Sequence, residues 1–356
     1  MTMRILYVAS LARGATSLYR FHALERLHQQ LIPFDLSKFE FKSAKMNALR
    51  YRFPVGPMIA KVNAALVDEV RHHRPEVVWF DRPTLFTAAT VQAIKASGAL
   101  TVCYNMDNPF GPRNDGCWRQ FYNIYRLIDL HCLFRHADVP RYQAWGLNFI
   151  KTQLSFDPAQ HFPPPEGWSE KDRTREVSYI GHPHEGRAGF LRTLIDRDKL
   201  PVAISGSGWQ RALTVTERER LTRSGNLQDA GGLLRDVEYR EAIWRSKINL
   251  SFITELNEED VAHKSFEIAA CRGFLLAYRS PGHQAAFQEG KEAEFFSSVN
   301  ECAEKIRHYL AHPAAREQIA MRGWERAVRS GYGNDTQLGL ILARLAEMFQ
   351  DRAALR

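Results

Sequence analysis

Short apolar runs alternate with amphipathic segments along the first half of the chain. The runs cover residues 4–9, 75–80, 100–104 and 129–134, and polar turns follow them. Short apolar runs bounded by turns are typical of strands buried on both faces of a sheet. Segments with helical spacing stand between them, so the order of strand, polar turn and helix predicts a doubly wound α/β domain with a parallel sheet.

The same order begins again in the second half. Apolar runs at residues 176–180, 202–205, 248–253 and 274–278 predict four more buried strands. Four prolines within residues 158–165 favour an extended linker before them. We therefore expect two domains, residues 1–156 and 167–335, joined by a linker at 157–166. A C-terminal helical segment, 336–356, is expected to pack back on the first domain.

Two stretches lack a clear period and are expected to be irregular. Residues 32–60 interleave lysines and arginines with aromatic residues, which would suit contact with an acceptor or a membrane. A strand and a loop with ordinary surface lysines fit the same pattern equally well. Residues 210–232 are polar and predict no regular structure.

Charge separates the two halves. Residues 1–150 hold 19 Lys and Arg against 11 Asp and Glu, whereas residues 151–356 hold 29 of each. The whole net charge of +8 therefore lies in the first half. This favours an anionic partner there, such as an acidic substrate, a membrane surface or a nucleic acid, although a merely basic soluble domain would look the same.

Composition narrows the class and the compartment. The chain has 356 residues, 45% of them hydrophobic and 25% charged, as in soluble globular proteins. No apolar stretch reaches membrane-spanning length, and the N-terminus resembles a first strand more than a signal peptide. The five cysteines are scattered and include no Cys-x-x-Cys pair, which favours a reduced, cytoplasmic setting and no cysteine-based metal site.

The candidate functional residues of the first half follow two predicted strands. Gly14 lies in the loop before the first helix, whose free N–H groups favour an anion, and Arg13 and Arg20 flank that loop as candidates for the acceptor side. The full G-x-G-x-x-G fingerprint is absent. Asp107 follows the strand at 100–104, where it could act as a base or cap a turn, and His22 is a second candidate base.

The most informative stretch of the second half is residues 259–278. Glu259 and Glu267 stand eight positions apart with Lys264 between them, and a helix ends before a buried strand. Gly273 is expected to close that helix with a positive φ. In open α/β sheets, ligands bind where such loops and helix N-termini meet, although an ordinary amphipathic helix would show the same charges.

Four features in order resemble family-four-type glycosyltransferases of the GT-B fold. They are Gly181 with Arg187, Gly206 with Gly208, Glu259 with Glu267, and the ending Ala-Cys-Arg-Gly-Phe-Leu-Leu at 270–276. The segment from Lys264 onward is most similar to the CgeB-like branch. The resemblance implies two Rossmann-like domains facing each other across a cleft, and a nucleotide-diphosphate sugar as donor.

The resemblance also implies residue roles. Glu267 would bind the ribose hydroxyls and Glu259 would approach the donor sugar. The other donor-site residues implied are Gly181, Arg187, Gly206, Gly208 and Lys264. Gly14 is a further candidate for the donor phosphates, from its place in the loop before the first helix. No Asp-x-Asp motif stands at a strand end, so we expect metal-independent transfer with no cofactor. Likeness to the family further implies retention of the anomeric configuration.

The expected function is transfer of a sugar to an anionic or membrane-associated acceptor, such as a cell-envelope glycan or a lipid-linked saccharide. The enzyme would be cytoplasmic and peripheral on the inner face of the membrane. A nucleotide-sugar epimerase or hydrolase is an alternative, and a non-catalytic nucleotide-sugar or polyanion-binding protein is another. A nucleic-acid acceptor is a special case, although no aromatic-basic recognition module is present in the sequence.

Overall fold

The computed structural model describes residues 2–112 and 116–354, with only the backbone described at Ala44 and residues 228–231. Two compact units divide the chain. The first unit consists of Met1–Gln153, Leu256–Glu258 and Asn334–Arg356, and the second of Leu154–Glu255 and Glu259–Gly333. The chain therefore returns to the first unit after completing the second.

The first unit is built on a six-stranded sheet in the order β2-β1-β3-β4-β5-β6. Its strands are β1 (Arg4–Ala9), β2 (Gln30–Asp35), β3 (Val77–Asp81), β4 (Leu100–Tyr104), β5 (Leu130–Leu133) and β6 (Phe149–Lys151). Neighbouring strands pair in parallel. The four central strands are almost entirely buried, which explains their apolar sequences.

Helices surround this sheet. They are α1 (Thr16–Arg26), α2 (Ala44–Arg52), α3 (Pro57–His73), α4 (Ala88–Ala96), α5 (Arg119–Ile124) and α6 (Asp138–Ala144). The expectation of irregular structure over 32–60 is wrong, because that range contains most of β2, a short 3-10 turn and α2. Helix α2 buries little apolar surface, so its basic, half-exposed sequence shows no apolar period that would have predicted a helix.

The second unit repeats the plan with the order β12-β11-β10-β7-β8-β9. Its strands are β7 (Arg175–Ile180), β8 (Val202–Ser205), β9 (Leu227–Gly231), β10 (Ser246–Ser251), β11 (Leu275–Tyr278) and β12 (Glu294–Phe296). They too pair in parallel. The doubly wound class expected from the sequence is confirmed for both units.

The helices of the second unit are α7 (Arg187–Asp196), α8 (Trp209–Ala212), α9 (Val215–Arg223), α10 (Asp236–Trp244), α11 (His263–Ala270), α12 (Pro281–Ala286), α13 (Val299–Ala311) and α14 (Pro313–Arg329). The expectation of irregular structure over 210–232 is also wrong, since α9 and β9 lie there. Helix α9 begins with a capping box between Thr214 and Glu217, a polar signal that apolar periodicity does not detect.

The last helix, α15 (Asn334–Ala354), packs against α1 within the first unit. Its buried face includes Leu338, Ile341 and Leu345. Arg26 of α1 also forms an ion pair with Asp335, with 2.6 Å between nitrogen and oxygen.

Helix α11 ends differently from the sequence expectation. The positive φ of +52° belongs to Arg272, and Gly273 does not adopt one. The N–H of Gly273 donates to the carbonyl of Ile268 at 3.0 Å, as in a Schellman ending. A Cβ at Gly273 would lie 2.7 Å from Cγ2 of Ile243, so this glycine is needed for close packing.

Candidate active site

The second sheet changes its direction of winding between β7 and β10. The chain leaves β7 towards β8 on one side and leaves β10 towards β11 on the other. In open α/β sheets, ligands bind at the carboxyl edge beside such a switch point. A pocket of about 480 Å³, including the solvent at its mouth, opens there. Its lining comprises Glu185, Gly186, Arg187, Phe190, Phe252, Ile253, Glu255 and Tyr278.

Arg187 is the first residue of α7 and faces this pocket. Its guanidinium donates to the carbonyl of Ile253 at 2.8 Å and to the hydroxyls of Thr254 and Tyr179 at 2.9 and 3.2 Å. Glu185 lies 3.6 Å away. The neutral oxygens and the Glu185 carboxylate together fix the direction of the guanidinium towards the pocket.

Three glycines bring backbone close to backbone beside Arg187. A Cβ at Gly206, where φ is +135°, would lie 2.2 Å from the carbonyl oxygen of Gly181. Gly208 has a φ of +90° and precedes α8. Trp209 donates its indole N–H to the carbonyl of Gly181 at 2.7 Å. Glycine is therefore required here for a tight crossing of the β7 and β8 loops.

Lys264 reaches the same crossing from the first turn of α11. Its ammonium group donates to the carbonyl of Ile180, the last residue of β7. Burial lowers the pKa of Lys264, the charge of Glu267 counteracts this in part, and Arg187 adds to the lowering. An ammonium has three donors, so two remain for an anion beside Gly181.

Glu267 lies one turn further along α11, and its carboxylate is buried. The hydroxyl of Tyr239 donates to one oxygen at 2.5 Å, and Nδ1 of His263 lies 3.0 Å from the other. Burial alone would raise the pKa of Glu267. The histidine charges and these hydrogen bonds outweigh burial and hold the pKa well below its ordinary value.

His161 completes this group on the far side of Glu267. Its Nε2 lies 3.8 Å from the carboxylate, and its ring makes an edge contact with Tyr239. Burial lowers the pKa of His161, and the charge of Glu267 counteracts this in part. The structure therefore places Tyr239, His263 and His161 around Glu267.

Sequence reasoning missed these three partners. His263 could have been found, because it stands four positions before Glu267 on the same helix face. Tyr239 and His161 come from α10 and from the segment predicted to be a linker. Only the fold brings them to the carboxylate.

Glu259 lies apart from this shell. Its carboxylate accepts a hydrogen bond from the backbone N–H of Thr254 at 2.9 Å, and the side chain is half-buried. It thus closes the loop that follows β10, whose Thr254 hydroxyl contacts Arg187. The two glutamates hold different positions despite their matching spacing.

The two candidate bases of the first unit have separate surroundings. Asp107 follows β4 and forms an ion pair with Nε of Arg82 at 2.7 Å. His22 lies on the exposed side of α1 with Nδ1 2.7 Å from a carboxylate oxygen of Glu25. Both remain accessible to solvent.

The β1–α1 loop holds the other candidates. Gly14 has a φ of +77°, and Arg13 is exposed beside it. Arg20 is only 1% exposed and forms a two-point ion pair with Asp81 at 2.8 and 3.1 Å. Its guanidinium also lies 4.5 Å from the centre of the Tyr104 ring. These contacts give Arg20 a structural role at the edge of the first sheet.

The described residues contain no group of three or more histidine, cysteine and acidic side chains arranged to hold a metal ion. In the same part of the chain, no helix combines the length and apolarity needed to cross a membrane. All five cysteines lie in the described part of the chain, are buried, and form no disulfide there.

Residues 186–343 match a family described as glycosyl transferase-like. Curated protein sequences gave no significant match.

Solved structures resemble the whole chain. Sucrose-phosphate synthase from Thermosynechococcus elongatus superposes with a TM-score of 0.69 at 12% identity, over 97% of this chain and 100% of that one. HepE from Anabaena in complex with UDP-glucose gives 0.67 at 15%, with the same coverage. A proposed UDP-N-acetylglucosamine 2-epimerase from Listeria monocytogenes gives 0.61 at 10%, over 99% and 98%.

At these identities, likeness to the solved structures concerns the fold. The closer resemblance to the CgeB-like branch stays a prediction. The GT-B fold expected from the sequence is confirmed, and the match over residues 186–343 supports the predicted glycosyltransferase activity.

Proposed function

We propose that the protein transfers a sugar from a nucleotide-diphosphate sugar to an anionic or membrane-associated acceptor, such as a glycan or a lipid-linked saccharide. One observation carries the proposal: Arg187 and Lys264 converge on the glycine crossing at the switch point of the second sheet. Two fixed cations beside unobstructed backbone suit a diphosphate. The complex of HepE with UDP-glucose supports this donor class.

The cations would act on the leaving group. During transfer, the bond between the anomeric carbon and the β-phosphate oxygen breaks, and its electron pair leaves with the nucleoside diphosphate. The acceptor oxygen forms the new bond to the anomeric carbon and releases its proton. Arg187 and Lys264 would stabilise the growing charge on the diphosphate, and this charge stabilisation by side chains would need no metal ion.

Glu267 would bind the ribose hydroxyls of the donor. A carboxylate can accept about four hydrogen bonds, and Tyr239 and His263 occupy two of these sites. Because these partners also keep the group ionised, it would accept hydrogen bonds from two hydroxyls at neutral pH. Gly181, Gly206 and Gly208 would supply the unobstructed backbone beside the phosphates.

The remaining assignments concern the acceptor and the stereochemistry. Asp107 and His22 are the proposed bases of the first unit, and Arg13 is proposed for the acceptor side. Gly14 is proposed for the donor phosphates. Glu259 is proposed to approach the donor sugar from the second unit. Retention of configuration follows from the family resemblance alone, and proton NMR of the first product formed would decide it.

A thermal-shift screen tests the donor site. UDP, GDP, ADP, CDP and dTDP are titrated against wild type, Lys264→Ala and Glu267→Ala, with Lys291→Ala as an exposed, charge-matched control. We expect one nucleotide to raise the melting temperature of wild type and of the control in proportion to the logarithm of its concentration. Loss of that shift in both site variants supports the site. No shift in wild type, or equal shifts in all four proteins, would overturn it.

A nucleotide-sugar epimerase is the second candidate, because the Listeria monocytogenes protein shares the fold. The two reactions differ in their need for an acceptor. Incubation of the enzyme with the donor sugar alone distinguishes them. Rapid appearance of an epimerised nucleotide sugar without acceptor would favour the epimerase, whereas dependence of turnover on acceptor would favour the transferase.

A further inference from the structure

Helix α2 places its apolar stripe on the outside of the protein. Met46 and Leu49 lie one turn apart, and Phe53 follows a turn later. These side chains are 45%, 52% and 40% exposed, and Val55 next to them is 63% exposed. In globular proteins the apolar stripe of a surface helix normally faces the core.

The polar side chains of the same helix face inward and bind it to the preceding segment by hydrogen bonds. The side chain of Asn47 makes two hydrogen bonds with the backbone of Phe41, at 2.7 and 2.8 Å. Arg50 donates to the carbonyl of Phe39 at 2.7 Å. The orientation of the helix is therefore fixed by specific contacts, with its apolar stripe turned outward.

The segment after the helix is fastened in the same way. Gln120 of α5 donates to the carbonyl of Pro54 at 2.9 Å. The guanidinium of Arg119 lies 5.4 Å from the ring centre of Phe53, and that of Arg52 lies 6.0 Å from it. Met46, Leu49, Phe53 and Val55 thus form one prearranged surface, the α2 patch.

Positive charge surrounds the α2 patch. Residues 38–55 contain five lysines and arginines and one acid, Glu40. Lys42, Lys45 and Arg52 are exposed, as is Arg119 of α5. Apolar side chains bordered by exposed cations match an interface that is apolar inside and anionic at its surface, such as a bilayer with acidic headgroups. A nucleic acid would use the cations but would leave the apolar stripe in water.

We propose that the α2 patch docks on an anionic membrane, with Leu49 and Phe53 inserted at the headgroup level and the cations against the lipid phosphates. The patch lies wholly in the basic first unit. This inference deepens the acceptor side of the proposed function and rests on it only for its biological purpose, since membrane binding requires no transfer reaction.

Vesicle flotation tests the inference with the full chain. Vesicles of pure phosphatidylcholine are compared with vesicles in which about a third of the lipid is phosphatidylglycerol. The test variant is Leu49→Glu with Phe53→Glu, and the matched control carries the same change at two other exposed apolar positions, Val215→Glu with Leu340→Glu. We expect wild type and control to float with anionic vesicles only, and the test variant to bind them at least about tenfold more weakly.

Other outcomes would overturn the inference. One is equal binding by the test variant and wild type, and another is no binding of wild type to anionic vesicles. A wild-type dimer that dissociates in the test variant during sedimentation would instead assign the patch to a second copy of the chain. Equal affinity for an RNA oligonucleotide in all three proteins, without flotation, would assign the basic surface to a polyanion.

The rise in melting temperature caused by the nucleotide distinguishes a failure of this inference from a failure of the donor site. All four substituted side chains are exposed, so the test variant should keep the wild-type nucleotide shift. Loss of flotation with an unchanged shift concerns the α2 patch alone. Absence of the shift in wild type, with flotation intact, would overturn the donor site and leave the membrane surface standing.

Discussion

Glu267 is an acid kept ionised inside the second unit. Tyr239 and His263 contact its two carboxylate oxygens, and the pKa of Glu267 lies well below its ordinary value as a result. In the unfolded chain, a glutamate takes up a proton near pH 4.3. Native protein therefore binds fewer protons than unfolded protein at acidic pH, and Glu267 links stability to pH.

We predict that Glu267→Gln removes this link. The stabilisation from ionised Glu267 is fully present above about pH 4.3 and is lost as the pH falls towards the lower native pKa. In urea unfolding between about pH 6 and pH 3, wild type should lose up to about 1.4 kcal/mol per pH unit relative to the variant. Glu241→Gln, an exposed change, should run parallel to wild type. Parallel curves for Glu267→Gln would contradict the prediction.

Gly206 is the second residue with a testable requirement. Its φ of +135° opposes a side chain, and so does the 2.2 Å that would separate an added Cβ from the carbonyl oxygen of Gly181. We predict that Gly206→Ala lowers the free energy of unfolding by about 2–4 kcal/mol and weakens nucleotide binding. Gly225→Ala serves as control, because φ is +76° there but no atom lies within 4 Å of its Cβ. Equal losses in both variants would mean that φ alone matters.

At the level of elements, the sequence revealed the strands that lie inside each sheet and missed those at the edges. The eight interior strands, β1, β3, β4, β5, β7, β8, β10 and β11, all coincide with predicted apolar runs. Of the four edge strands, β6, β9 and β12 were not predicted, and β2 was only an open alternative to irregular structure. An interior strand is buried by neighbours on both sides, whereas an edge strand such as Gln30–Asp35 is half-exposed and mixes polar residues with apolar ones.

In the candidate site, the sequence likewise pointed to residues next to interior strands and missed those from distant segments. Lys264, Glu267 and Arg187 come from loops and helix starts next to interior strands, where spacing along the chain carries the signal. Tyr239 and His161 reach Glu267 from distant segments, and no local pattern marks them. Arg20 was expected to face an acceptor, but its buried partner Asp81 lies 61 positions away in the chain.

Two neighbouring residues at the C-terminus of α11 have different structural requirements. Arg272 holds the positive φ, and Gly273 fits against Ile243. Gly273→Ala should therefore lower the free energy of unfolding by about 1–3 kcal/mol through overpacking. Arg272→Gly should stay within about 1 kcal/mol of wild type, because the relief of φ offsets the loss of a partly exposed ion pair with Glu317. Urea unfolding measures the loss in free energy of unfolding of both variants. A larger loss in Arg272→Gly than in Gly273→Ala would contradict the prediction.

At the scale of the whole molecule, α15 joins the end of the described chain to the first unit. Ile341 is fully buried on its inner face, whereas Leu340 is 49% exposed. We predict that Ile341→Ala destabilises the protein by about 2–5 kcal/mol, and that Leu340→Ala changes stability by less than about 0.5 kcal/mol. Calorimetry measures both. Nucleotide binding by the second unit at low temperature should survive, and its loss in Ile341→Ala would contradict the assignment of α15 to the first unit.

The placement of α15 also has a consequence for protein synthesis. Residues 154–255 and 259–333 leave the ribosome before residues 334–354, yet the first unit needs the latter to cover α1. Domains generally fold as units while the chain is being made, starting from the N-terminus. Here the first unit must wait for a segment that is translated after the second unit, and the second unit can finish folding before it. A nascent chain with α14 outside the ribosome and α15 still inside it should thus expose α1 to a protease and protect the second sheet.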